Sequence, residues 1–172
     1  MLSVVLITLN EEKNLDLCLK SLPKFSELIV VDSGSCDKTI EIAQSYGAKT
    51  YHKDFLNYSD QKNYALSLAT KPWILSIDAD ESLSQELADQ ISLIVKSEGE
   101  NRAFSFSRRL VFMGQKLRFG KTLSFPVRLF QNGQAKFTHE IHEKLIFSKK
   151  TPIQNLSAPM FHYSYKDLAD YF

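Results

Sequence analysis

Apolar residues fall in short blocks separated by polar turns, and the blocks alternate in period. Leu2–Leu9 is a β-branched apolar run that reads as a buried strand. After a polar loop, Leu15, Leu17, Cys18, Leu19 and Leu22 repeat at helical spacing, which predicts a helix over Asn14–Leu22 stopped by Pro23. Leu28–Val31 reads as a second buried strand, closed by Asp32 and the turn Ser33-Gly34-Ser35. Asp37 is the predicted N-cap of a helix to Tyr46, with Gly47 as its stop. Lys49–His52 is a short third strand, and Ser59–Ala69 a helix closed before Pro72. Trp73–Ile77 is a fourth strand ending at Asp78, and Ser82 or Ser84 caps a longer helix through about Lys96.

Strand and helix thus alternate four times, the pattern of an α/β protein with a mostly parallel sheet flanked by helices. Ligands of such sheets bind beyond the carboxyl ends of the strands. The polar residues collect there: Thr8, Asn10 and Glu11 after the first strand, Asp32 after the second, Asp78 and Asp80 after the fourth. Beyond residue 100 the pattern changes. Ala103–Arg109 alternates, Phe125–Phe130 and Glu143–Phe147 are strand-like, and Gly114, Gly120 and Gly133 punctuate the region. A mixed or antiparallel extension is expected. Tyr165–Phe172 begins like an amphipathic helix and stops almost at once, which suggests a truncated end.

At 172 residues with 44% apolar side chains, the chain suits a single domain with a sizeable core. Its net charge of +1 hides a split. Residues 1–100 carry 9 basic and 16 acidic side chains, whereas residues 101–172 carry 12 and 4. Clustered carboxylates suit a metal; clustered cations suit phosphates, an anionic acceptor or a membrane surface. Solvated charge that merely segregates is the competing reading. Neither cysteine has metal-ligand spacing, and Cys18 reads as a small core residue. No apolar run is long enough to span a membrane and no leader is visible, so a cytosolic or peripherally bound protein is expected. Balanced charge and the lack of a recognition motif argue against nucleic acid as a partner.

The candidate chemistry centres on Asp78-Ala79-Asp80-Glu81. In extended backbone, residues two apart point the same way, so Asp78 and Asp80 would face one site. Two carboxylates suit Mg²⁺ or Mn²⁺, which take further ligands from a substrate diphosphate. The alternative is a helix start, with Asp80 or Ser82 capping. Asp32 either accepts from a ribose or base N–H, or closes an Asx turn on its own backbone. Thr8, Asn10 and Glu11 line a base or ribose pocket or else cap the next helix. Lys62 and Asn63 lie early in a helix, where a cation is unfavourable unless an anion meets it.

The segments Thr8-Leu-Asn-Glu-Glu12, Val30-Val-Asp-Ser-Gly-Ser-Cys-Asp-Lys-Thr39 and Ser76-Ile-Asp-Ala-Asp-Glu81 resemble, in order and spacing, the family 2 glycosyltransferases. Arg128-Leu-Phe, Ile141-His-Glu-Lys-Leu145 and His162-Tyr-Ser-Tyr165 resemble a subgroup that adds glucose to the lipopolysaccharide inner core. The resemblance implies a GT-A type, Rossmann-like fold and inverting, metal-dependent transfer of a hexose from a nucleotide-sugar. It implies UDP-glucose as the carrier and a glycan or glycolipid acceptor at the cytoplasmic face of the inner membrane. Residues 1–100 would form the nucleotide-sugar half and residues 101–172 the acceptor half, and family members continue past this C-terminus. By the same resemblance Thr8, Asn10, Glu11 and Asp32 hold the nucleoside; Arg128, and Lys62 from its place early in a helix, are assigned to the nucleotide-sugar. Asp78 touches ribose or metal and Asp80 binds the Mg²⁺ or Mn²⁺ that bridges the diphosphate. His162 is a further metal ligand or diphosphate contact. Glu143 is the first choice of catalytic base and Glu140 the second. Ordinary surface or packed histidine is the competing reading for His139, His142 and His162. The cations Arg108, Arg109, Lys116, Arg118, Lys121 and Arg128 would meet a phosphorylated acceptor or the membrane.

Three other classes were weighed on the same residues. A sugar-phosphate nucleotidyltransferase usually carries a Gly-rich basic loop after its first strand, and this loop is acidic and lacks Gly. An aspartyl-phosphate phosphatase places its Asp-x-Asp on the first strand, not the fourth. A non-catalytic nucleotide-sugar binder is the third alternative.

Overall fold

A computed structural model describes residues 1–97, 102–112, 115–116, 123–138 and 144–165. The first four strands are β1 (Leu2–Thr8), β2 (Glu27–Asp32), β3 (Lys49–His52) and β4 (Trp73–Ser76). They lie parallel in the order β3-β2-β1-β4. The helices α1 (Leu15–Lys20), α2 (Thr39–Ser45) and α3 (Tyr58–Leu68) connect them. β1 and β2 are apolar almost throughout because both faces are covered. On one face Leu2, Val4, Leu6, Leu28 and Val30 pack with α1, α2 and α4 (Gln85–Ile94). On the other, Val5, Ile29, Val31 and Ile74 pack with α3. Each fully buried aliphatic side chain contributes about 1.5–3 kcal/mol.

The sheet does not stop at the fourth strand. β9 (Val127–Gln131) adds antiparallel to β4, and β6 (Ala103–Phe112) antiparallel to β9. β12 (Ile153–Tyr165) then runs parallel to β6, and the short β5 (Glu81–Leu83) closes the path antiparallel to β12. Two short strands, β7 (Gln115–Lys116) and β8 (Leu123–Ser124), also pair with β6. The acidic and basic halves of the sequence therefore share one ten-stranded mixed sheet. A separate hairpin, β10 (Ala135–Thr138) with β11 (Lys144–Phe147), lies over the α3 face.

Several boundaries differ from expectation. The residue before α2 is Lys38, whose ammonium cannot accept a capping bond; Asp37, one residue earlier, accepts from the Thr39 N–H and from the Glu12 N–H. Ser84, not Ser82, caps α4 by accepting from the Leu87 N–H; Ser82 lies inside β5. The 13-residue β12 was not anticipated, and the stretch 166–172 lies outside the described residues. Cys18 is buried in the core as expected, Cys36 is exposed, and both thiols are free. Among the described residues no helix is long and apolar enough to cross a membrane.

Candidate active site

Two loops at the carboxyl ends of β1 and β2 hold each other. Asn10 donates its N–H to Ser35 Oγ and accepts from the Cys36 N–H on its side chain. Glu12 repeats the reciprocal pattern with Asp37 and the Lys38 N–H, and the Glu11 N–H donates to Thr39 Oγ1. Asn10 sits at φ 54°, a left-handed conformation that Asn tolerates better than most residues. The first two motifs are thus one interlocked surface.

Asp32 is the buried anchor beneath it. Its Oδ1 accepts from Thr8 Oγ1 (2.9 Å) and Ser35 Oγ, and its Oδ2 from the Gly34 and Ser35 N–H groups (2.8 and 2.7 Å). Burial pushes its pKa up, but these bonds outweigh burial and hold it below the usual carboxylate range. Four bonds use both lone pairs of both oxygens. The Asx-turn reading describes this geometry, in which two of the four donors are the rotatable hydroxyls of Thr8 and Ser35.

A cleft of about 470 Å³ opens beside this surface. Thr8, Glu11, Lys62, Asp78, Asp80 and His162 all line it. Asn10, Asp32 and Arg128 stand outside its lining. Glu140 and Glu143 lie outside the described residues, as do His139 and His142. Sequence reasoning missed Phe55 and Tyr58, which line the cleft about half-exposed with their rings edge to face at 5.1 Å. Two aromatics three residues apart, Phe55 in the loop after β3 and Tyr58 opening α3, were the available signal.

Asp78 and Asp80 do different things. The chain turns between them and Glu81, whose N–H donates to the Asp78 carbonyl (3.0 Å). Asp78 Oδ1 meets Lys62 Nζ at 2.9 Å and its Oδ2 meets Arg128 at 2.6 Å. Burial would raise its pKa, but the Arg128 and Lys62 charges hold it well below the usual range. Each Asp78 oxygen thus faces one protein cation, Lys62 on one side and Arg128 on the other. Arg128, 5% exposed, also contacts Glu81 at 2.5 Å, while its Nε has no hydrogen-bond partner. Glu81 is fully buried, accepts from Arg108 (3.3 Å) and, on its other oxygen, from the Asp78 N–H (3.1 Å). Burial raises its pKa despite Arg128. The sequence motif contains Glu81 but assigns it no role of its own. Two cations assigned to the acceptor, Arg108 and Arg128, therefore turn inward; Arg109 is exposed, and the Lys116 side chain, Arg118 and Lys121 lie outside the described residues.

Asp80 points elsewhere. Its Oδ2 lies 3.0 Å from His162 Nε2 on β12, and its carbonyl accepts from the Tyr163 N–H (2.9 Å). A carboxylate and an imidazole at a cleft wall suit a divalent cation that completes its shell with phosphate oxygens and water, Mn²⁺ accepting both donor types. Among the described residues no three such side chains gather as a closed protein cage. Cys18 lies under the turn, its Sγ 3.6 Å from the Asp78 carbonyl, and burial pushes its thiol pKa well up.

Parallel strands that open at their carboxyl ends onto a polar cleft, with a carboxylate–histidine pair on its wall, give the ligand-site layout of open α/β folds. The chain matches the family described as Glycosyl transferase family 2 over residues 3–172, and it belongs to that family. Uncharacterized glycosyltransferases of Rickettsia species are similar; that of Rickettsia typhi is 36% identical over 95% of this chain and 60% of its own length. The lipopolysaccharide core biosynthesis glycosyltransferase LpsC of Rhizobium meliloti is 30% identical over 84% of this chain and 57% of its own. The chain thus spans about 60% of the curated relatives it matches. In structure it is similar to S. aureus TarS 1–349, with TM-score 0.65, 16% identity, and coverage of 95% of this chain and 60% of that one. Glucosyl-3-phosphoglycerate synthase from Mycobacterium tuberculosis, crystallised with Mg²⁺ and UDP, aligns at TM-score 0.52 and 23% identity over 63% of this chain and 44% of that one. The GT-A fold expected from the motifs is the fold these neighbours share.

Proposed function

We propose that this chain is the nucleotide-sugar-binding and catalytic part of an inverting, metal-dependent glycosyltransferase. It would move glucose from UDP-glucose to a hydroxyl of a bacterial glycan or glycolipid such as lipopolysaccharide core. The single observation that carries the reading is the cleft that joins Thr8, Glu11, Lys62, Asp80 and His162 at the strand ends. The name of the Rhizobium relative supports the acceptor class, and the UDP and Mg²⁺ in the mycobacterial crystal support the carrier and the cation.

In this reading Thr8, Glu11 and the loop clipped by Asn10 and Asp32 frame the nucleoside. Asp80 and His162 would hold Mg²⁺ or Mn²⁺, which when bound neutralises charge growing on the leaving diphosphate. Lys62 would share that charge from the cleft wall. Asp78, fixed by Lys62 and Arg128, positions Lys62 and would touch the ribose or the metal. Glu143, with Glu140 as second choice, takes the proton from the attacking hydroxyl. The whole domain, 1–172, works at the cytoplasmic face of the membrane.

Calorimetric titration of UDP and UDP-glucose, with Mn²⁺ and with EDTA, tests this on wild type and Asp80→Ala. Binding that needs metal and falls at least tenfold in the variant is expected. Metal-independent binding of equal strength in both would remove the metal role, and absence of binding to any nucleoside diphosphate would remove the function. Glu143→Gln should keep binding and lose transfer.

A further inference from the structure

The β10–β11 hairpin has two unlike faces. Its register pairs Ala135 with Phe147, Lys136 with Ile146, Phe137 with Leu145 and Thr138 with Lys144. Side chains alternate along a strand, so Ala135, Phe137, Leu145 and Phe147 share one face and Lys136, Thr138, Lys144 and Ile146 the other. The first set packs inward against the α3 side of the core. On the second, Lys136 and Lys144 are exposed and Ile146 is 42% exposed. Lys149 and Lys150, also exposed, follow directly after β11.

Among the described residues this face has no counter-charge; Glu140 and Glu143 fall in the connecting stretch 139–143, outside the described residues. The described residues from 102 to 165 include no Asp or Glu, and no ion pair involves these four lysines among the described residues. A solvated lysine face needs no apolar residue, yet Ile146 stands between Lys136 across the ladder and Lys144 along the strand. Cations around an exposed aliphatic side chain match an anionic bilayer, where headgroups take the charges and the interface takes the apolar group.

The hairpin is also fixed relative to the cleft. Asn63 of α3 donates to the Phe137 carbonyl (2.9 Å) and accepts the Phe137 N–H (2.8 Å). One residue earlier, Lys62 lies 5.4 Å from the Phe137 ring. A two-stranded ribbon is marginal alone, and this clamp makes it one body with the helix that lines the cleft.

We propose that the outer face of the β10–β11 hairpin, Lys136, Lys144, Ile146, Lys149 and Lys150, docks the protein on an anionic lipid bilayer. The docked face sets the cleft's orientation to the membrane. This deepens the glycolipid reading above by naming its surface, and it moves the membrane contact away from Arg108 and Arg128. Sedimentation with phosphatidylcholine vesicles, with and without phosphatidylglycerol, tests it at low and high salt. Each lysine near such a surface is worth about fivefold in partitioning. Wild type should bind the anionic vesicles at least tenfold better than neutral ones, and lose most of this at high salt. Lys136→Glu/Lys144→Glu/Lys149→Glu/Lys150→Glu should fall to the neutral level. Ile146→Ser should bind a few-fold more weakly, and Lys13→Glu/Lys24→Glu on the other half should bind like wild type. Melting temperature and UDP titration of each variant check the fold. Unchanged binding by the fourfold variant, equal binding to neutral vesicles, or no binding by wild type overturns the proposal. Loss of UDP binding with vesicle binding intact would sink the transferase reading and leave this surface standing.

Discussion

At the amino ends of the parallel strands, Glu27 receives Ser3 Oγ (2.7 Å), Lys49 Nζ (3.0 Å) and both donors of Thr70. At the carboxyl ends, Glu81 and Asp78 receive Arg128, Arg108 and Lys62. Burial opposes ionisation at both ends. At Glu27 the hydrogen bonds outweigh it and pull the pKa down to about 2. At Glu81 burial wins, aided by the neighbouring Asp78, and the pKa rises. The floor satisfies one carboxylate mainly with donors from nearby loops. The cleft instead balances charges drawn from β6, β9 and α3, and leaves the Arg128 Nε unpartnered. Buried charge networks of that kind rarely maximise stability. Within this network Lys62 and Asp78 line the cleft, and Arg128 stands behind them.

The largest effect should come from breaking the cleft end. Arg128→Met strands two buried carboxylates and is expected to cost about 3–5 kcal/mol, read by chemical denaturation. A loss under about 1 kcal/mol would mean that Lys62 and Arg108 suffice. Glu27→Gln comes next, at about 3 kcal/mol near neutral pH, from a shift between 4.5 and about 2. A depressed pKa stabilises fully above the unfolded value. The difference between wild type and Glu27→Gln should therefore close as pH falls from 4.5 toward 2. A pH-independent difference would assign the loss to packing instead. The smallest is Ser3→Ala, about 1 kcal/mol, since Ser3 Oγ both donates to Glu27 and accepts the Lys71 N–H. An effect as large as that of Arg128→Met would erase the contrast between the two ends.

The first half of the fold was legible because its signals are local. Runs such as Val4–Ile7 and Leu28–Val31 are apolar enough to be strands buried on both faces, and Pro23, Gly47 and Pro72 mark the stops. β12 was not legible, because Ile153–Tyr165 is interrupted by Asn155, Ser157 and Pro159. Its strand state comes from pairing with β6 some fifty residues earlier, with a register shift between Leu156 and Pro159. Thr8, Glu11, Asp80 and His162, named from motifs, and Lys62, named from its place early in a helix, line one cleft. The motifs did not reveal that both Asp78 oxygens would face cations, or that Glu81 would hold Arg128. Those facts depend on β9 lying beside β4, which no local pattern encodes.

Asp80 meets His162 across 82 residues of chain. On a ribosome adding roughly 5–20 residues per second, Asp80 emerges about 4–16 s before its partner. The strands of the parallel half can pair in that interval, but the carboxylate–histidine wall cannot exist until β12 has threaded alongside β6. Nascent chains would therefore acquire the parallel part of the sheet before the cleft wall, and any fragment ending before residue 162 would be folded in part and chemically open.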